Sequence, residues 1–257
     1  MATPRLTALV LFSGGIGSWA AAHRTIAAGY QTELLFTDTL IEDEDLYRFL
    51  DEAETDLGVP LHRIADGRTP WELFEQEGMI GNTRADICSR VLKRDLARKW
   101  IDDRYPEGTT VVVGMDWQEI HRYDRAEPRW LPHTLSAPLM EPPLIDKQEM
   151  MQWAKDRGID PPRTYAMGFN HANCGGFCIK QGQGAFIHLL KMFPDRYAEH
   201  ETEEQAFRER TGKDVAVLRD RRGGTTQPFT LKALREEHEA GGEQIDLFDL
   251  GGCDCMI

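Results

Sequence analysis

Two groups of residues in this sequence have types and spacing suited to chemistry. The first is Ser13-Gly14-Gly15-Ile16-Gly17-Ser18, which follows the apolar run 6–12 and precedes an alanine-rich stretch. That order predicts a strand, a glycine turn and a helix. Glycines let backbone N–H groups approach an anion, the helix start adds roughly half a positive charge, and Ser13 and Ser18 supply hydroxyl donors. The expected ligand is a phosphate or sulfate; an ordinary tight turn is the competing reading. No lysine follows the glycines and G-x-G-x-x-G is absent, so neither a Walker loop nor a dinucleotide fingerprint fits. The second group is five cysteines: Cys88, Cys174, Cys178, Cys253 and Cys255. Their odd count and clustering suggest a metal or redox site rather than a disulfide framework.

The elements that must position these groups alternate. Strands are expected at 6–12, 32–36, 60–64 and 110–113. Helices are expected at 18–28, 43–57, 70–76 and 89–103, with Thr69 as cap before Pro70. Repeated β-α units imply a doubly wound, mostly parallel α/β sheet. The proline-rich middle (Pro128, Pro132, Pro138, Pro142, Pro143) reads as an ordered crossing loop. Asp146 caps a helix over 147–157, and further helices are expected at 184–192, 196–210 and 231–239, with a strand at 215–218. We therefore expect a nucleotide-binding domain over 1–125, a helical extension bearing Cys174 and Cys178 over 126–240, and a glycine-rich cysteine-containing tail over 241–257.

A net charge of −13 disfavours diffuse binding to nucleic acid. Local basic groups still exist: Arg84, Arg90, Lys93, Arg94, Arg98 and Lys99, then Arg219, Arg221 and Arg222. They read as a solvated helix face or as anion binders. No apolar stretch approaches the roughly 20 residues of a membrane helix, and residues 1–5 run straight into the first strand without a secretion signal. The expected location is the cytoplasm, with no membrane partner.

The Ser-Gly-Gly-x-x-Ser loop resembles the PP-loop of the adenine nucleotide α-hydrolases, whose members include ATP pyrophosphatases and phosphoadenylylsulfate (PAPS) reductases. Four further segments resemble the reductase branch in order: Phe36-Thr37-Asp38-Thr39; Arg84-x-x-x-Cys88-Ser89-x-x-Leu92-Lys93; Asp146-Lys147-x-Glu149; and Tyr165-x-x-Gly168-Phe169 ahead of Cys174 and Cys178. The likeness covers roughly residues 6–198. Departures are Gly17, where many ATP pyrophosphatases carry Asp, Cys88-Ser89 in place of a Cys-Cys pair, and a C-x₃-C spacing.

The resemblance implies a fold of the PP-loop type and an adenine nucleotide, either ATP or PAPS or its adenylylsulfate (APS) counterpart. Nucleotide contacts are expected from Ser13, Gly14, Gly15, Gly17 and Ser18. Asp38 and Thr39 follow the second strand; Asp38 meets ribose, adenine or Mg²⁺, or caps the next helix. Gly114 and Arg122 follow the fourth strand, where the family's Gly-x-Arg segment is replaced by Met115-Asp116, so Arg122 and Arg125 are its expected substitutes. Trp117 and Tyr123 either stack on a base or pack. The resemblance further implies a [4Fe–4S] cluster on Cys88, Cys174 and Cys178, with a fourth position open or filled by Ser89, a tail cysteine or substrate. Zinc with His171 is the alternative, as is burial of the thiols without metal. Lys93 and Arg84 neutralise a sulfate or phosphate, or lie on a solvated face.

Two activities follow from the likeness. In the reductase reading, Cys253 or Cys255 attacks the sulfur of the phosphosulfate, with Lys93 assisting, and a thiol reductant regenerates the enzyme. In the other, ATP adenylates a carbonyl of a tRNA, DNA or nucleobase substrate before sulfur transfer. A non-catalytic nucleotide-binding module is the third reading.

Overall fold

The computed structural model describes residues 6–82 and 85–241. β1 (Thr7–Leu11), α1 (Ile16–Ala27), β2 (Gln31–Asp38), α2 (Glu44–Leu57), β3 (Leu61–Ala65) and α3 (Pro70–Glu77) alternate as the hydrophobic pattern predicts. A helical segment follows, π-wound over Ser89–Asp95 and α-helical over α4 (Leu96–Asp102), then β4 (Thr110–Val112), α5 (Ile120–Trp130) and β5 (Thr134–Ser136). The rest is α6 (Lys147–Asp156), α7 (Arg163–Ala166), α8 (Gln183–Met192), α9 (Pro194–Thr211), a two-stranded ribbon of β6 (Leu218–Asp220) and β7 (Gln227–Phe229), and α10 (Leu231–Glu239).

β3-β2-β1-β4-β5 form one parallel sheet. Successive side chains of a strand point to opposite faces, and β1 feeds two cores in this way. Ala8, Val10 and Phe12 join α1, α2 and α6 on one side, while Leu9 and Leu11 join α4 and α5 on the other. That double burial is why β1 reads as a continuous apolar run. A third core unites α3 with the helical region: Trp71 and Phe74 pack with Phe177, Phe186, Phe207, Leu231 and Leu234. No helix among the described residues is long and apolar enough to cross a membrane.

The helix starts follow local chemistry. Thr69 with Glu72, and Asp146 with Glu149, each form a reciprocal capping box ahead of α3 and α6. Three expectations need correcting. The strand expected at 215–218 begins only at Leu218, as β6. Pro128 lies inside α5 rather than in a crossing loop; the helix ends two residues later, so the missing N–H removes a bond only near its frayed end. The expected helix over 89–103 begins as a π-helical stretch, a widening common at functional sites.

One buried acid ties the helical region together. Glu204 on α9 is fully buried and accepts from Val217 N at 2.8 Å and Leu231 N at 2.6 Å. Burial outweighs those two bonds and pushes its carboxyl up to about 7. A folded-state pKa above the unfolded one gives stability that is full below the unfolded pKa, about 4.5, and lost as pH rises through about 7. The stability of the parent relative to Glu204→Gln, read from urea midpoints, should fall across that window. A parent-minus-variant difference that is flat or rising across it would refute the assignment.

Candidate functional site

The strand order reverses between β1 and β4: β2 and β3 extend the sheet to one side, β4 and β5 to the other. Ligands of open α/β sheets bind outside the carboxyl ends of strands at such a point. A cavity of about 410 Å³ lies there, within the roughly 300–1,000 Å³ of small-ligand pockets.

Its floor is loop 13–18. Gly15 is the N-cap of α1 and offers no side-chain cap, so the first-turn N–H groups point out of the helix. Ser18 Oγ donates to Gly15 O at 2.7 Å, and Ser13 Oγ accepts from Gly15 N at 3.3 Å. The Tyr165 hydroxyl accepts from Ile16 N at 3.2 Å and so reaches the loop from the far end of the sequence. Gly14 has φ +75°, and a Cβ there would come 2.6 Å from Leu46 of α2. Gly17 and Gly114 face each other: a Cβ on Gly17 would lie 2.7 Å from Gly114 O, and one on Gly114 would lie 2.5 Å from Ser18 N. The exit of β4 thus touches the first turn of α1 backbone to backbone.

The walls come from distant segments. Asp116 and Glu119 form a capping box after β4, and Arg122 pairs with Glu119. Lys147, at the start of α6, donates to Asn170 O at 2.9 Å and also lines the cavity, as do His171 and Asn173. Loop 13–18 and the α1 start, with Lys147 and Arg122, supply donors and positive charge to the cavity; Asp116 and Glu119 line it as well, engaged with each other's backbone and, for Glu119, with Arg122.

The cysteines occupy a separate pocket. Cys88, Cys174 and Cys178 line one small cavity with Thr39, Ser89 and Lys93. Glu42 is its organising residue. It is almost fully buried and accepts from the Thr39 hydroxyl at 2.9 Å, from Cys174 N, and from Lys93 Nζ at 3.4 Å. Asp43, the N-cap of α2, binds Arg163 at 2.8 Å and Arg196 at 3.2 Å, while Arg196 also donates to Gly175 O at 2.6 Å. Glu42-Asp43 therefore clamps the cysteine loop to the nucleotide sheet. Cys174 holds φ +53° within that clamp, a backbone conformation costly for a side chain other than glycine. Cys88 keeps partial surface exposure, but protein surrounds its sulfur, and burial pushes the thiol up to about 11 against the lowering pull of Lys93.

An iron–sulfur cubane requires three or four thiolates around a body of eight atoms. The shared cavity is about 10 Å³, room for roughly one water-sized body. Among the described residues no group of three or more His, Cys, Asp or Glu is disposed to hold a metal ion. The thiols converge, but as placed they do not fit a cluster. His171 lines the nucleotide cavity and not the cysteine pocket.

Of the residues picked from the sequence, Ser13, Gly15, Gly17, Ser18, Gly114 and Arg122 line the large cavity, and Gly14 shapes its loop. Asp38 does not line it: its carboxylate accepts from Leu40 N at 2.7 Å and from the Tyr47 hydroxyl at 3.0 Å. Thr39 and Lys93 belong to the cysteine pocket. Arg125 is exposed, and the Tyr123 hydroxyl donates to Leu135 O at 2.8 Å. Arg84, Cys253 and Cys255 lie outside the described residues. Among the basic candidates, Arg94 pairs with Asp86 and Arg98 with Asp102, both at 2.8 Å, and Arg222 with Asp220 at 2.9 Å. Sequence reasoning missed Glu42 as a site residue and did not assign Lys147 or Tyr165 to the nucleotide, although both sit in the quoted motifs.

No curated protein matches this chain. Among solved structures, a phosphoadenylyl-sulfate (PAPS) reductase from Candida auris, in a phosphate complex, is 14% identical with a TM-score of 0.46, covering 66% of this chain and 80% of that one. A protein described as a predicted subunit of tRNA methyltransferase from Methanocaldococcus jannaschii is 18% identical with a TM-score of 0.37, covering 61% of this chain and 90% of that one. Residues 7–172, more than half of the chain and containing both the loop and the switch point, match the model of the phosphoadenosine phosphosulfate reductase domain. The chain belongs to the phosphoadenosine phosphosulfate reductase domain family, within the PP-loop superfamily.

Proposed function

We propose that the chain is an enzyme of sulfur chemistry that binds PAPS or APS in the large cavity and removes the sulfur from the nucleotide. The observation that carries this is the cavity at the β1/β4 switch point, floored by loop 13–18 and flanked by Lys147 and Arg122. The nucleotide phosphates lie on the α1 start. A thiolate attacks the sulfur of the phosphosulfate. The S–O bond to the nucleotide breaks, and the adenosine phosphate leaves with its electron pair while an S-sulfocysteine forms. A dithiol reductant then attacks the cysteine sulfur, releases sulfite and closes to its disulfide, which restores the enzyme thiol. Cys253 or Cys255 is the proposed nucleophile, because a buried thiol pushed up to about 11, such as Cys88, supplies little thiolate at neutral pH. No step runs through a cluster.

A second reading has one specific observation in its favour. Asp116 and Glu119 bring two carboxylates to the cavity wall, the ligand type of the Mg²⁺ of ATP. In that case a carbonyl oxygen of a nucleobase attacks the α-phosphorus and pyrophosphate leaves.

ATP, PAPS and APS should be compared side by side with sulfite and pyrophosphate both measured. Sulfite from PAPS or APS in the presence of a dithiol is expected, falling to background in Cys253→Ser/Cys255→Ser. Pyrophosphate from ATP without sulfite from either phosphosulfate would replace the first reading by the second. Anaerobically purified protein should be colourless, as the closed cysteine pocket requires; a brown protein with stoichiometric iron would show that this pocket opens around a cluster.

A further inference from the structure

Neighbouring residues of one loop line two different cavities. His171, Ala172 and Asn173 wall the nucleotide cavity, while Cys174 and Cys178 line the cysteine pocket. The third thiol there, Cys88, stands at the start of the π-wound segment and keeps partial surface exposure. None of the three is in a disulfide. The pocket of about 10 Å³ lacks room for a cluster, but joining two sulfurs that already wall it takes no added volume.

The loop has little slack to absorb such a change. A Cβ on Gly175 would lie 2.7 Å from Ile41 O, and one on Gly176 would lie 2.7 Å from the Phe169 ring. Phe177 is buried and stacks on His200 at 3.6 Å, which fixes the Cys178 side in the third core. Cys174 is the partner able to shift, because leaving its left-handed backbone, φ +53°, offsets part of the cost. Its displacement passes to Asn173 and so to the wall of the nucleotide cavity, since close-packed interiors transmit strain.

We propose that Cys88 and Cys174 are a dithiol–disulfide switch, oxidised by a soluble disulfide, that controls nucleotide binding through residues 171–174. The Cys88 thiolate attacks the disulfide, forms a mixed disulfide and releases one thiolate. The Cys174 thiolate then attacks the Cys88 sulfur and releases the second. Two cysteine thiols are oxidised, one disulfide is reduced to two thiols, and the cysteine protons go to the released thiolates. Burial of the Cys88 sulfur keeps its thiolate scarce, so the exchange runs over roughly minutes to hours. A disulfide is what the dithiol reductant above becomes, so the switch lowers nucleotide binding when reductant is spent. The bridge stands on the pocket; its effect on the nucleotide rests on the reading above.

The test uses the full chain carrying Cys253→Ser/Cys255→Ser, so that only the three pocket thiols remain. It is equilibrated in buffers of reduced and oxidised glutathione, alkylated and mapped by mass spectrometry. A Cys88–Cys174 bridge is expected. Adenosine bisphosphate or a non-hydrolysable ATP analogue should bind the bridged protein about tenfold more weakly than the thiol form. By reciprocity, saturating nucleotide should lower the equilibrium constant for bridging by the same factor. Cys88→Ser should remove both the bridge and the sensitivity of nucleotide binding to oxidation. Another pairing, glutathione adducts alone or three surviving thiols would overturn the proposal, and that map needs no further variant to fold. A bridge that leaves nucleotide affinity unchanged would overturn it too. If neither nucleotide binds the thiol form, the nucleotide reading fails while the map still decides the bridge.

Discussion

Gly114→Ala should lower nucleotide turnover by roughly a hundredfold. The added methyl would sit 2.5 Å from Ser18 N and 2.6 Å from Gly17 C and Ser18 Cα. Those are backbone atoms in the first turn of α1, so no side chain can swing aside to make room. Strand and helix start must separate, and overpacking of this kind costs about 1–3 kcal/mol in stability. The larger effect is positional. The N–H groups that would meet the phosphates move with the helix start, and a misplacement of about 1 Å costs roughly a hundredfold in rate. The same geometry accounts for Gly17, because any side chain there meets Gly114 O at 2.7 Å. Calorimetric titration with nucleotide and a thermal melt would separate the two components. Titration and turnover equal to the parent's would show that the phosphates do not bind at loop 13–18.

Glu42→Gln should destabilise the fold by about 3–5 kcal/mol, the range for removing one partner of a buried ion pair. Glu42 and Lys93 have side chains only 1% and 4% exposed. A neutral amide takes the Glu42 charge away from the Lys93 ammonium in the cysteine pocket. The amide oxygen can still accept from Thr39 or Cys174 N, but not all three donors. Lys93→Met in the Glu42→Gln background should therefore restore part of the loss, whereas two independent sites would add. Urea denaturation of the parent, both single variants and the double variant gives the coupling directly. Reactivity of the pocket thiols toward a chromogenic disulfide should rise in Glu42→Gln, since the clamp on Cys174 is loosened. A Glu42→Gln protein within about 1 kcal/mol of the parent, inside the range of an ordinary substitution, would show that the pair is not the clamp.

What the sequence alone determined about this protein is local. Loop 13–18, the β-α alternation and the capping boxes at Thr69 and Asp146 all depend on residues within a few positions of one another. Their physics is backbone freedom, hydrophobic period and short-range hydrogen bonding. The order of the family's motifs was legible for the same reason. Tertiary structure decided which of those motifs meet. Asp38 and Thr39 are neighbours in sequence, yet Tyr47 holds Asp38 in its own loop while Thr39 turns to Glu42 and the cysteines. Tyr165 reaches Ile16 across 149 residues, and Glu42 reaches Cys174 across 132. No local pattern encodes such pairs. They exist because sheet order places β1 beside β4 and because the third core draws α3 and the helical region together. The two glycines at 17 and 114 show both sides of this. Each is visible as a letter, but the need for glycine arises only where two backbones approach too closely for a methyl group.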